Sequence, residues 1–328
     1  MSFTSSYIKL LHSGKLFRRS EEAFKDLFSC TSCPRDCRVN RINSEYGVCA
    51  CGHLPVVSSY TPHFGEEPVL SGTRGAGNIF FGNCNLKCIY CQNFEISQNP
   101  KAERDNQVSH EQLAEIMLEL QNKGCHNIGL VSPTHFSGTI LKSIYLAAKN
   151  GLNLPIIYNT NGYDSVEMLK LYDGVIDIYL PDFKYGNSEN AKKYSLVDNY
   201  FEKTKEAIKE MYRQVGDELV YEGDVVVKGL IIRHLILPND LSETEKVFKF
   251  IAEELSPNVH ISLMSQYYPT HISHRDILID RPLRNSEYER ALRILDKYGL
   301  KNGWTQEMES AETYRPDFNA NRINPFNI

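Results

Sequence analysis

Nowhere in the 328 residues does an apolar run approach the ~20 residues that a membrane-crossing helix needs, so no membrane partner is expected. No block of five like charges occurs and the net charge is −5, which gives no footing for a polyanion-binding arm, and nucleic acid is not expected as a partner. Internal repeats and low-complexity segments are missing as well. The opening stretch "MSFTSSYIKLLHSGKLFRRSEEAF" lacks a secretory apolar core and a small-residue cleavage site, and reads as a surface helix of a cytoplasmic protein. The glycine-rich "SGTRGAGN" (71–78) lacks the lysine of a phosphate loop and precedes a strand rather than a helix, which excludes a nucleotide cradle.

Cysteine is what the chain does have. Nine are present, and eight of them fall within 62 residues, from Cys30 to Cys91. A disulfide framework belongs to short secreted chains, and an odd total pairs poorly. At 41% hydrophobic residues a chain this long can bury a core without covalent staples. Clustered thiols at one end therefore predict metal-bound thiolates in a reducing compartment.

Composition divides the chain into a cysteine-rich extension (1–75), a regular core (76–300) and an extended tail (301–328). In the core, strand-like runs alternate with helix-like ones. "GNIFFGN" (77–83), "NIGLVS" (127–132), "PIIYNT" (155–160), "VIDIYL" (175–180), "DVVVKGLIIRHLILP" (224–238) and "NVHISLM" (258–264) read as strands. Between and after them lie helices at 109–124, 138–151, 165–172, 242–255 and 286–299, with Ser109 and Ser242 as N-caps, and one or two more before residue 216. Six β-then-α steps predict an α/β fold, a partial (β/α)6 barrel with an N-terminal cysteine-rich extension. Chemistry in such folds gathers at the C-terminal ends of the strands.

The first strand runs into "CNLKCIYC", where Cys84, Cys88 and Cys91 follow a C-x-x-x-C-x-x-C pattern. Structural zinc sites close with four ligands. Three thiolates in one loop suit instead a cubane iron–sulfur cluster that keeps one iron free. With Tyr90 before the last cysteine, the motif resembles that of the radical S-adenosylmethionine superfamily. The resemblance implies a 4Fe–4S cluster on Cys84, Cys88 and Cys91, S-adenosylmethionine on the free iron, and a 5′-deoxyadenosyl radical released by one electron. "CIYCQN", "NTNG", "DFK" and "RHLILP" stand in the order seen in proteins similar to pyruvate formate-lyase activating enzymes. "CPRDCRVNR" and "HFGEEPVLSG" look like an activating-enzyme-like branch of that group.

By that resemblance Tyr90, Asn159, Asp182, Lys184 and Arg233 would contact the cofactor. Asp182 and Lys184 flank Phe183, so alternation lets both face one way, while His234 should face away from the side of Arg233. Two departures stand out. Asn159 occupies a position that is usually aspartate, and "GLVSPTHF" replaces the usual Gly-Gly-Glu run, which puts Ser132, Pro133 and Thr134 where the methionine amino group would be received. Thr134 and His135 could instead serve the substrate.

Cys30, Cys33, Cys37 and Cys49 form C-x-x-C-x-x-x-C-x11-C, with Cys51 and His53 close behind. Four thiols at these gaps can close around one zinc ion or a second iron–sulfur cluster. The resemblance implies as partners a glycyl radical enzyme, or another peptide substrate, and an electron donor such as flavodoxin or ferredoxin. Two other functions compete with glycyl radical activation: radical modification of another peptide or a small metabolite, and a non-catalytic iron–sulfur or zinc scaffold.

Overall fold

Runs rich in β-branched and aromatic residues, too short for helices, form the strands of one sheet in a computed structural model that describes residues 3–308 and 315–326. The strands are β1 (Val57–His63), β2 (Ala76–Phe81), β3 (Ile128–Val131), β4 (Ile156–Thr160), β5 (Ile178–Pro181), β6 (Val220–Glu222), β7 (Val225–Leu235), β8 (His260–Met264) and β9 (Gly303–Thr305). They are ordered β1-β2-β3-β4-β5-β7-β8-β9, with β6 as a hairpin arm on β7. From β2 to β9 the path is parallel; β1 pairs antiparallel to β2 and covers that edge. The sheet curls without closing, as a partial barrel. All six expected strands are present within a few residues of their predicted bounds.

The helices are α1 (Tyr7–His12), α2 (Lys15–Lys25), α3 (Pro68–Ser71), α4 (Phe94–Ser97), α5 (His110–Asn122), α6 (Ser137–Lys149), α7 (Val166–Leu171), α8 (Ser188–Ser195), α9 (Tyr200–Val215), α10 (Thr244–Phe250) and α11 (Asn285–Lys297). α5 begins as the sequence predicts. The Ser109 hydroxyl accepts from Gln112 N at 3.2 Å and the Gln112 side chain returns the bond to Ser109 N at 2.7 Å, a capping box of about 1 kcal/mol. Its apolar stripe, Leu113, Met117 and Leu120, is buried.

Three expectations are corrected. Ser242 does not cap the helix at 242–255: its hydroxyl accepts from Leu237 N, and Glu243 at φ +46 turns the chain into α10, which relaxes into a π turn over Ile251–Leu255. The expected boundary at residue 300 moves, because Gly303–Thr305 adds strand β9 to β8 and so belongs to the core; residues 309–314 and 327–328 of the tail lie outside the described residues. The extension also has two parts. α1 and α2 join the outer helical layer, where Ser6 N donates to Asp177 Oδ1 at 2.9 Å and the Tyr7 hydroxyl to Leu154 O at 2.8 Å, at the N-terminal ends of the strands. Residues 29–56 form a loop with a single 3-10 turn of its own, Arg41–Asn43, at the opposite end.

Candidate active site

The C-terminal ends of β2, β3, β4, β5, β7 and β8 surround a cavity of about 220 Å³. Cys84, Cys88 and Cys91 all line it, as do Tyr90, Ser132, Asn159, Asp182, Lys184 and Arg233. The parallel register explains the convergence. Val131 lies opposite Asn159, Asn159 opposite Leu180, and an isolated bridge sets Asp182 beside Arg233.

Each thiol of the triad has its own hydrogen-bonding neighbour. Asn161 Nδ2 lies 3.5 Å from Cys84 Sγ, Ser195 Oγ 2.9 Å from Cys88 Sγ, and Ser97 Oγ 3.2 Å from Cys91 Sγ. Behind Cys88 the contacts continue through Ser195 to the Tyr185 hydroxyl at 2.7 Å and on to the Tyr90 hydroxyl at 2.6 Å. Asn161 reaches Cys84 because the "NTNG" turn is tight. Gly162 sits at φ +79, and a Cβ there would fall 2.5 Å from Asp182 O. Burial pushes all three thiols up, Cys88 to about 12. As free acids they are neutral; only a positively charged ligand draws them out as thiolates. Three buried thiols on one cavity, with no fourth cysteine among its described lining residues, fit a cluster that leaves one iron for an outside ligand.

The charged wall is a single network. Asp182 Oδ2 accepts from Lys184 Nζ at 2.6 Å and Oδ1 from Arg233 Nε at 2.8 Å. Arg233 continues to Asn159 Oδ1 at 2.6 Å and Glu66 Oε2 at 3.3 Å. Glu66 Oε1 in turn accepts from Asn78 Nδ2 at 2.9 Å. Burial works against charge on Asp182, but Arg233 and Lys184 outweigh it and hold the carboxyl below its ordinary range. Burial likewise opposes the Lys184 ammonium, and Asp182 more than reverses this. Two cations and two carboxylates in one wall suit a zwitterionic amino-acid end such as that of S-adenosylmethionine.

Alternation along β7 holds as expected. His234 faces the core, where its ring nitrogens meet Phe183 O at 2.7 Å and Thr244 Oγ1 at 3.0 Å, and burial pushes it down to about 4. Thr134 is the predicted residue that the cavity leaves out. The chain turns at Ser132 (φ +58) into a 3-10 turn over Thr134–Phe136, which buries the Thr134 hydroxyl 2.9 Å from that of Thr160. His135 faces the other way, toward the N-terminal cysteines, so neither it nor Thr134 lines the cavity where a substrate would sit.

Glu66, Asn161, Ser97 and Ser195 were not singled out by sequence reasoning. Glu66 and Asn161 stood inside quoted motifs, "HFGEEPVLSG" and "NTNG". Nothing local marks Ser97 or Ser195, which reach the thiols only through tertiary folding.

A family model described as the radical SAM superfamily matches residues 78–230. The uncharacterized protein MJ0674 of Methanocaldococcus jannaschii is 35% identical over 297 residues, 85% of this chain and 78% of that protein. A second protein of that organism, the uncharacterized MJ0808, is 28% identical over 176 residues, 50% of this chain and 51% of its own length. Among solved structures, the FeFe-hydrogenase maturase HydG from Carboxydothermus hydrogenoformans aligns with a TM-score of 0.49 at 13% identity, over 99% of this chain and 74% of that one.

Proposed function

The chain belongs to the radical SAM superfamily, and from that premise we propose that it is an activating enzyme that takes a hydrogen atom from a backbone glycine of a partner glycyl radical enzyme. It is an enzyme of the kind that carries a 4Fe–4S cluster and cleaves S-adenosylmethionine. When bound, that pair supplies a 5′-deoxyadenosyl radical at the cost of one electron. Cys84, Cys88 and Cys91 would hold the cluster, and the Glu66–Arg233–Asp182–Lys184 network would seat the methionine end. A flavodoxin or ferredoxin would deliver the electron.

One observation carries the choice of substrate. Every charged side chain among the described lining residues belongs to that single network. What remains is neutral: amides of Gln92, Asn93 and Gln266, apolar Phe80, Leu86, Met264 and Pro316, and His63, which burial pushes down to about 4. Amides pair with peptide N–H and C=O groups, and a neutral wall favours a polypeptide backbone over a charged metabolite. Hydrogen-atom abstraction needs no acid or base there. The order of the activating-enzyme-like motifs supports the same reading.

The test is anaerobic reconstitution with candidate glycyl radical enzymes and electron paramagnetic resonance. A glycine-centred doublet that requires S-adenosylmethionine is expected. Turnover to 5′-deoxyadenosine with another substrate, and no doublet with any candidate, would overturn the proposal.

A further inference from the structure

The loop of residues 29–56 brings Cys30, Cys33, Cys37 and Cys49 to the walls of one small cavity, with Arg35, Arg41 and His135 also lining it. Cys51 turns away, its sulfur 3.3 Å from Cys49 O and 3.4 Å from Asn83 Nδ2. We propose that Cys30, Cys33, Cys37 and Cys49 are the four protein ligands of a second 4Fe–4S cluster, one with no open iron and no S-adenosylmethionine. This site is independent of the substrate proposed above.

The first argument is an unbalanced charge. Arg41 is 1% exposed. Its guanidinium donates to Gly52 O at 2.9 and 2.6 Å and to His135 O at 2.6 Å, all neutral acceptors. Among the described residues no carboxylate pairs with it; the thiol of Cys30 lies 3.8 Å away. A buried cation without a counter-charge is costly. Four thiolates around a cluster provide that charge.

The second argument is a donor with nothing to bond. Arg35 Nη2 is buried without a partner, on a side chain that lines this cavity. A guanidinium N–H is a donor of the kind that cluster sulfur accepts.

Third, the wrap is built to bring sulfur close to backbone. A Cβ at Gly47 would fall 2.8 Å from Cys37 Sγ. Asp36, Arg38, Ser44 and Ala50 all hold φ between +46 and +61. Left-handed residues cost on the order of 1 kcal/mol each, and this loop has only one 3-10 turn to offset them. A ligated cluster would. The choice of cluster over zinc follows from Arg35: the inorganic sulfides of a cubane accept hydrogen bonds, and a zinc ion adds no acceptor.

The site also abuts the first. Arg35 Nε donates to Asn85 O at 3.0 Å, and the Asn85 side chain lies 3.7 Å from Cys84 Sγ.

The experiment leaves the loop untouched. A Cys84→Ala, Cys88→Ala, Cys91→Ala variant, reconstituted anaerobically with iron and sulfide, should keep iron and acid-labile sulfide in equal amounts, about half the wild-type content, with a 4Fe–4S Mössbauer signature. Retention of zinc without iron, or of no metal, would overturn the proposal. In that background Arg41→Gln should make the remaining cluster's potential more negative and Arg41→Lys should restore it. An unchanged potential would overturn Arg41 as the counter-charge.

Discussion

Ser195, the last residue of α8, sets its hydroxyl 2.9 Å from the Cys88 sulfur, and the same oxygen lies 2.7 Å from the Tyr185 hydroxyl. The Tyr185 proton is thus free to satisfy Ser195 while Ser195 donates to sulfur. A donor to a cluster thiolate stabilises the reduced, more negative state more than the oxidised one. Ser195→Ala should therefore lower the potential of the catalytic cluster, on the order of tens of millivolts, with iron content unchanged. Voltammetry against wild type checks this.

Glu66 is the second carboxylate on Arg233. Replacing it by glutamine keeps size and an acceptor but removes the charge that anchors one end of the guanidinium. S-adenosylmethionine affinity should fall about tenfold, or about 1.4 kcal/mol, with cluster content intact. Isothermal titration with the reconstituted protein gives the number.

Asp182 has the stronger claim, since it faces both Lys184 and Arg233. Asp182→Asn leaves two buried cations with one carboxylate, a loss of roughly 3–5 kcal/mol of stability for a broken buried pair. In the wild type its carboxyl titrates below its unfolded value. Its contribution is therefore full above the ordinary carboxylate range and is lost as pH falls through it. Thermal unfolding of both proteins from acid to neutral pH should show the difference narrowing only at the acid end.

Asp177 works in the opposite sense. Burial raises it to about 6, while its oxygens accept from Ser6 N at 2.9 Å and Ile156 N at 3.3 Å. Below pH ~4 both states are protonated and nothing is lost. Between that and about 6 the unfolded chain releases its proton and the fold does not. Relative to Asp177→Asn, the wild type should lose about 3 kcal/mol across this window and no more above it. Denaturant titrations at pH 4, 5 and 7 measure it (roughly spanning the window). A difference independent of pH would contradict the assignment.

Legibility in the sequence followed range. The βα steps were readable because each rests on local pattern: "NIGLVS" and "VIDIYL" are short apolar runs, and α5 carries both its cap and its stripe. Asp182, Lys184 and Arg233 were readable because alternation on a strand fixes which side chains share a face. β1 was not, because "VSSYTPH" is polar and contains a proline that only an edge strand tolerates. Thr134 lies outside the cavity for a related reason. One left-handed residue, Ser132, ended the strand and rotated everything after it. Glu66 meets Arg233 across 167 residues of sequence, and no local period signals such a pairing.

The cavity wall is completed from far along the chain. Pro316 and Phe326 line it, Phe326 packs on His63 and Phe80, and Arg322 reaches back to Glu103 at 2.8 Å. A site whose cysteines follow the first parallel strand is thus walled in part by residues beyond the last strand of the sheet. Removing residues 315–326 would open the cavity on that side while every strand stays in place.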